Sequence, residues 1–292
     1  TGAVPTAIRA VVAKLIPKLK AAGLTYRSIG LMASLYRQWC RCRQQYARAW
    51  ESRNKDPLMG HQSGRSIMEV VYLQALRAEA GQAEDRRLHT GYFLWDLQNF
   101  YEYLTREKLW QRCEEMEFNL AVAAVAINQY SSKRFLGLGG LTMECKYARR
   151  GIAAGCGLAT TWVQIYALPP LRLWRVEHPK VNLNMFIDDL GCGAQAAEEH
   201  QVVGRLGAAA ASLWHMVEAD LDFKVAEHKS VLLASSDRLL TKLTRAFGRH
   251  AGTAQKAAPN LGIDFSVGRR RASRPSTKVI RGREQKFKKR CR

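Results

Sequence analysis

The stretch Val181-Asn182-Leu183-Asn184-Met185-Phe186-Ile187-Asp188-Asp189-Leu190-Gly191-Cys192-Gly193-Ala194 decides how this chain is read. Residues 181–187 alternate with period two, the pattern of a half-buried strand, and a second short strand follows the acids at 190–194. Two adjacent carboxylates thus stand at a hairpin tip beside a buried strand. Charge placed there is costly unless a cation or a base neutralises it. From this composition a Phe/Tyr-x-Asp-Asp tetrad is expected only about 0.02 times by chance, so the tetrad carries information. An ordinary Asp-Asp turn is the alternative, because Asp favours turns.

Side chains alternate along a strand, so only one of the pair can share a face with a third, distant group. Asp96 is the candidate. It ends the apolar, aromatic run Gly91-Tyr92-Phe93-Leu94-Trp95, which reads as a buried strand about ninety residues upstream. Strand-end carboxylates meeting side by side repel unless divalent cations lie between them. An all-oxygen donor set without His or Cys at ligand spacing points to Mg²⁺ rather than Zn²⁺.

Around these segments the expected elements are mixed. Residues 100–126 read as helix, and 158–168 as an apolar helix stopped by Pro169-Pro170. Residues 198–219 form an Ala-rich helix, and 223–233 and 260–265 read as further strand pieces. Strands joined mostly by hairpins rather than by regular βαβ units make the class α+β.

The chain has 292 residues and 47% hydrophobic residues, enough for a core, which excludes wholesale disorder. Its apolar runs are too short for a membrane-spanning helix, and no signal peptide is expected. Seven cysteines form no CxxC pair, which suggests reduced thiols and an intracellular setting. With 46 Lys plus Arg against 25 Asp plus Glu, the net charge is +21, and the partner expected is a polyanion, most simply nucleic acid. Residues 268–292 hold twelve Lys or Arg against Glu284 alone and read as a basic tail. A second basic region, 27–53, interleaves arginines with aromatics whose helical spacing suits a core.

In this order the motifs resemble the reverse transcriptase family, in particular the polymerase domain of non-LTR retroelements. Leu15-Ile16-Pro17-Lys18 and Tyr26-Arg27-Ser28-Ile29-Gly30-Leu31 resemble the fingers segment, with Ser28 where Pro is usual, and Gly64-Arg65-Ser66 resembles the next block. Residues 93–101, around Asp96, resemble the first palm motif. Arg150-Gly151-Ile152-Ala153-Ala154-Gly155-Cys156 resembles the Gly-rich segment, with Ala153 and Ala154 in place of Pro and Gln. Phe186–Asp189 resembles the aromatic-x-Asp-Asp signature, Lys229 the later lysine motif, and Asn260-Leu261-Gly262-Ile263 the primer grip.

The resemblance implies a right-hand fingers–palm architecture, an antiparallel palm sheet flanked by helices, and a thumb truncated or absent. Residues 1–90 would be fingers-like, 91–267 palm, and 268–292 a basic tail or the start of a thumb. It implies RNA-directed DNA synthesis, with an RNA template, a DNA or RNA primer and dNTPs as partners, and no membrane. Two Mg²⁺ ions, or Mn²⁺, would be held by Asp96, Asp188, Asp189 and the Leu97 carbonyl. Lys18 and Arg27 would grip the triphosphate, and Phe186 would lie beside the dNTP. Tyr101 would be a steric gate against a 2′-hydroxyl, or else a core aromatic. Lys229 would donate a proton to pyrophosphate, or else be a surface lysine. Gly151, Gly155, Leu261 and Gly262 would meet template or primer. A retrotransposon origin, a ribonucleoprotein with the chain's own transcript and a nuclear location accompany this reading. A catalytically inactive nucleic-acid-binding relative and an RNA-dependent RNA polymerase are the rival classes.

Overall fold

A computed structural model describes residues 2–20, 23–81, 87–138, 140–145 and 148–267, so the basic tail at 268–292 lies outside the described residues. Along the chain run β1 (Ala10–Lys20), β2 (Gly23–Met32), α1 (Ser34–Arg53), α2 (Ile67–Gly81), β3 (His89–Gln98) and α3 (Phe100–Tyr103). There follow α4 (Arg106–Glu115), α5 (Leu120–Tyr130), β4 (Lys133–Leu138), β5 (Leu141–Cys145), α6 (Ala159–Glu177), β6 (Val181–Phe186) and β7 (Asp189–Ala196). The last elements are α7 (Glu199–His215), β8 (Lys224–Val225), β9 (Val231–Ala234), α8 (Asp237–Phe247), β10 (Thr253–Gln255), β11 (Ala257–Asn260) and β12 (Ile263–Ser266). The class is α+β, as expected. The chain forms two compact units, one of residues 1–64, 97–173 and 216–224, the other of 65–96, 174–215 and 225–292.

The first unit carries a sheet ordered β2-β1-β4-β5. Its β1–β2 and β4–β5 pairs are antiparallel hairpins, and β1 runs parallel to β4. Its helices close on an aromatic core in which Phe118 meets Trp50 edge-on at 6.0 Å and Trp162 edge-on at 5.0 Å. The Trp162 indole N–H donates to the Tyr130 hydroxyl at 2.9 Å, pairing two polar atoms buried in this core.

Two helix expectations need correction. The helix read over 100–126 is three helices. Leu104 and Thr105 are extended (ψ 124° and 131°) and part α3 from α4, Glu117 takes a left-handed φ of 51° and parts α4 from α5, and the Asn119 side chain caps α5 by accepting from the Val122 N–H. The helix expected to stop at Pro169-Pro170 runs on to Glu177. Each interior proline costs about 3 kcal/mol. Beyond the prolines Leu171 and Trp174 are buried, and burial at roughly 1.5–3 kcal/mol per large side chain opposes the cost.

The second unit is built on a sheet ordered β10-β9-β3-β7-β6, with β3 antiparallel to both neighbours and β10 parallel to β9. Its register sorts residues by face. Phe93 and Trp95 face the helices: Phe93 meets Phe247 of α8 and Trp95 meets Trp214 of α7, both edge-on. Gly91 is on this face too, where a Cβ would lie 2.8 Å from Leu243 and 3.0 Å from Leu206. Tyr92, Leu94 and Asp96 occupy the opposite face. Its lower half is covered by α2 and the β11–β12 hairpin, through a core of Ala78, Tyr92, Leu233, Ala258, Phe265 and Val267. Its upper half, where Asp96 stands, borders a pocket among the described residues.

Candidate functional site

Asp96 of β3 lies directly opposite Asp189 of β7, and Asp189 is in turn opposite Phe186 of β6. Opposed residues of an antiparallel pair project to the same face, with Cα atoms about 4.5–5.5 Å apart. The hairpin between β6 and β7 is closed by two residues, Ile187 and Asp188. Ile187 has φ 57°. A positive φ at the first loop position belongs to the primed turns that match strand twist. For a β-branched residue it is strained by roughly 1–3 kcal/mol. The strained turn sets an exposed Asp188 next to a half-buried Asp189.

Charge crowds here. Asp189 is pushed up to about 7, by burial first, then by Asp188, then by Asp96, while Lys229 pulls it down. Lys229 donates from Nζ to Asp96 Oδ1 at 2.5 Å, and the Ala226 N–H donates to the Asp96 carbonyl at 2.7 Å. The segment carrying Lys229 is thereby pinned to Asp96 by both backbone and side chain. Among the described residues no three His, Cys, Asp or Glu side chains stand close enough to form a ready-made metal site. The donor set nevertheless suits a hard divalent cation, since its oxygens carry more negative charge than the lysine neutralises.

These residues border a pocket of about 140 Å³, lined by Asp96, Asn184, Phe186, Asp189, Lys229 and Leu261, among others. Leu261 and Gly262 form the two-residue loop of the β11–β12 hairpin, with φ 49° and 83°, the pair of left-handed residues that a tight hairpin requires. The buried Asn260, at the base of that loop, donates from Nδ2 to Gln74 Oε1 of α2. The sequence-expected residues Asp96, Phe186, Asp189, Lys229 and Leu261 thus meet at one pocket, with Asp188 and Gly262 adjacent in the two hairpin loops.

The remaining expected residues belong to the first unit. Leu97 follows Asp96 in β3 and is buried. Lys18 pairs with Thr25, and Arg27, exposed, pairs with Ile16, two register steps away on the β1–β2 hairpin. Tyr101 is half-buried in the single turn α3, its ring edge-on to Phe100 at 5.6 Å. Gly151 and Gly155 serve internal packing. The Gly151 N–H donates to the Leu104 carbonyl and the Ile152 N–H to the Tyr101 carbonyl, while the Gly30 N–H donates to the Ala154 carbonyl at 2.8 Å. With φ 88° and 102°, a Cβ at either glycine would fall 2.9 Å from backbone, of Glu102 and of Gly30. Ala153 and Ala154 fit the same close approach, since a Cβ at Gly30 would meet them at 3.0–3.1 Å.

Sequence reasoning missed Tyr92, Asn184, Gly191 and Gly193. Tyr92 is opposite Gly193, and its ring lies where a side chain at 193 would begin. It crosses β7 and donates its hydroxyl to Asn184 Oδ1 of β6 at 2.8 Å. Glycine inside a strand is unfavourable by roughly 0.5–1 kcal/mol relative to alanine, so two at alternate positions are a signal of close approach from above.

An antiparallel sheet covered by helices on one face, with carboxylates at the ends of a central strand and of the neighbouring hairpin on the other, defines a polymerase palm, here with a fingers-like hairpin sheet. The chain belongs to the reverse transcriptase (RNA-dependent DNA polymerase) family, whose model matches residues 16–262. No curated protein sequence matches it. Among solved structures it is similar to apo telomerase from Candida tropicalis truncated from its C-terminal domain, with TM-score 0.59 and 11% identity over 91% of this chain and 55% of that one. It is also similar to telomerase from Candida albicans in complex with a TWJ fragment of telomeric RNA, with TM-score 0.56 and 12% identity over 90% and 45%. At such identities the likeness is one of fold. The chain spans about half the length of these telomerases.

Proposed function

We propose that this chain is an RNA-directed DNA polymerase that extends a primer with dNTPs on an RNA template. The observation that carries the reading is Asp96 opposite Asp189 across β3–β7, with Asp188 in the adjoining turn and Lys229 on Asp96. Asp96 and Asp188, assisted by Asp189 and the Leu97 carbonyl, would hold two Mg²⁺ or Mn²⁺ ions. When bound, such ions stabilise the attacking and leaving oxygens of an in-line displacement at the dNTP α-phosphate. Lys229, which contacts Asp96, would move its contact from carboxylate to pyrophosphate and donate a proton to it. Lys18 and Arg27 would bind the triphosphate, and Tyr101 would exclude a 2′-hydroxyl.

The net charge of +21 supports a nucleic-acid partner. A retroelement origin, assembly with the chain's own transcript and a nuclear location rest on the motif resemblance and this charge. The deciding experiment is primer extension on poly(rA)/oligo(dT) with Mg²⁺ and dTTP, beside Asp188→Asn. Extension by the wild type and none by the variant is expected. Hybrid binding without extension would leave the inactive nucleic-acid-binding class, and extension with rNTPs alone would favour an RNA polymerase.

A further inference from the structure

Asn184 has no role in the reading above, yet it lines the pocket with Asp96, Asp189 and Lys229. Its place is built with care. The Tyr92 ring needs both glycines of β7 in order to reach it. A Cβ at 193 would fall 2.2 Å from Tyr92 Cδ2, and one at 191 would fall 2.8 Å from Asn184 Oδ1 and 3.0 Å from the Tyr92 hydroxyl. The phenol and the carboxamide therefore lie flat on β7, over the two positions that lack side chains.

In this structure the Tyr92 hydroxyl donates to Asn184 Oδ1, which leaves Nδ2 as the amide's donor, with no hydrogen-bond partner among the described residues. Asn184 is only half-buried, so a ligand can reach it. Nearby, the Lys229 ammonium is engaged by Asp96. The carboxylates of Asp96 and Asp189 are acceptors and repel an anionic ligand. Asn184 Nδ2 is thus a fixed, neutral donor next to the acids, in a register row one step below theirs: Leu94, Gly191 and Asn184, against Asp96, Asp189 and Phe186.

Resting on the polymerase reading, we infer that Asn184 is a substrate-binding residue. Its Nδ2 donates to a sugar or phosphate oxygen of a nucleotide at the catalytic pocket, and Tyr92 is the positioning residue that holds the amide in that orientation. The oxygen belongs either to the primer terminus or to the incoming dNTP, and the two sources respond to different measurements.

The experiment uses the full chain and the variants Asn184→Ala and Tyr92→Phe, the second removing one oxygen atom from a ring that otherwise stays packed. Binding of an RNA–DNA hybrid is read by fluorescence anisotropy, which needs no turnover, and KM for dTTP is read in primer extension. Loss of one neutral hydrogen bond should weaken the affected step about five-fold. Asn184→Ala should raise either Kd for the hybrid, which assigns the primer, or KM for dTTP, which assigns the incoming nucleotide. Tyr92→Phe should shift the same constant by a smaller factor. Unchanged Kd and KM in Asn184→Ala, or in Tyr92→Phe should the first variant not fold, would overturn the inference. Wild-type hybrid binding without extension would instead refute the polymerase activity, and the anisotropy comparison would still judge the primer contact.

Discussion

Lys229 and Asp96 form a direct ion pair, Nζ to Oδ1 at 2.5 Å, across 133 residues of sequence. The lysine supplies positive charge to a site that holds three carboxylates, and it acts on Asp189 as well as on its own partner. Replacing it therefore alters the charge balance of the whole site.

That balance predicts a pH dependence of stability. Asp189 rises from an ordinary 3.8 to about 7 in the folded chain. A raised acid contributes stability that is complete below the unfolded value and is lost as pH climbs through the folded one. In chelating buffer, wild-type stability should fall between about pH 4 and pH 7. Asp189→Asn should be more stable than wild type at pH 8 by roughly 2 kcal/mol, after solvent screening, with the gap closing towards pH 4. Lys229→Ala should widen the fall. Thermal melting across this range checks both, and added Mg²⁺ should raise the wild-type midpoint more than that of Asp189→Asn.

Gly155→Ala should destabilise the first unit by about 2 kcal/mol or more, because the new methyl meets the Gly30 carbonyl at a left-handed φ. Gly64→Ala has a left-handed φ but nothing within 4 Å, so its cost should be smaller, near 1 kcal/mol. Urea unfolding of the two variants gives the comparison, and equal losses would show that the packing against Gly30 contributes nothing.

Asp188→Asn preserves shape and removes one charge from an exposed turn position. Extension should fall by at least about a hundred-fold, about 2.7 kcal/mol in the barrier, while hybrid affinity changes little. Tyr101→Ala should retain extension and raise incorporation of rNTPs relative to dNTPs. Single-nucleotide extension with each substrate measures both, and an unchanged ratio would mark Tyr101 as a packing residue.

Deleting residues 268–292 should weaken hybrid binding and flatten its salt dependence, because each phosphate neutralised adds about −0.9 to the slope of log K against log salt on duplex. Different sequences should weaken alike, since phosphate contacts carry no base information. Parallel slopes for full-length and truncated chains would remove the tail from the interface.

The hairpin at 181–194 was legible because strand alternation and an acidic turn are both local signals. So was β3, whose apolar run ends at Asp96. The motif order brought Asp96 to the acidic pair with Asp188 as its main partner; that Asp189 is the residue directly opposite it follows from the β3–β7 register, which nothing local specifies across ninety residues. The passage of α6 through Pro169-Pro170 was not legible, because the burial that opposes the cost of two prolines comes from tertiary packing of Leu171 and Trp174 beyond them. Asn184 was hidden for a different reason. In sequence it is one polar residue on the alternating strand, and its orientation depends on a hydroxyl from a strand two places away.

The ring of Tyr92 stands where Gly193 has no side chain, which couples the two positions energetically. A methyl added at 193 alone collides with the ring, and a smaller residue at 92 alone leaves a gap over β7. Made together, the two changes relieve the collision, but a methyl fills only part of the space the buried ring leaves, and Asn184 loses the hydroxyl that orients it. Gly193→Ala should therefore be harmful with Tyr92 present and tolerated beside Tyr92→Ala. The collision couples the two positions, so the stability change of the double variant should depart from the sum of the two single changes.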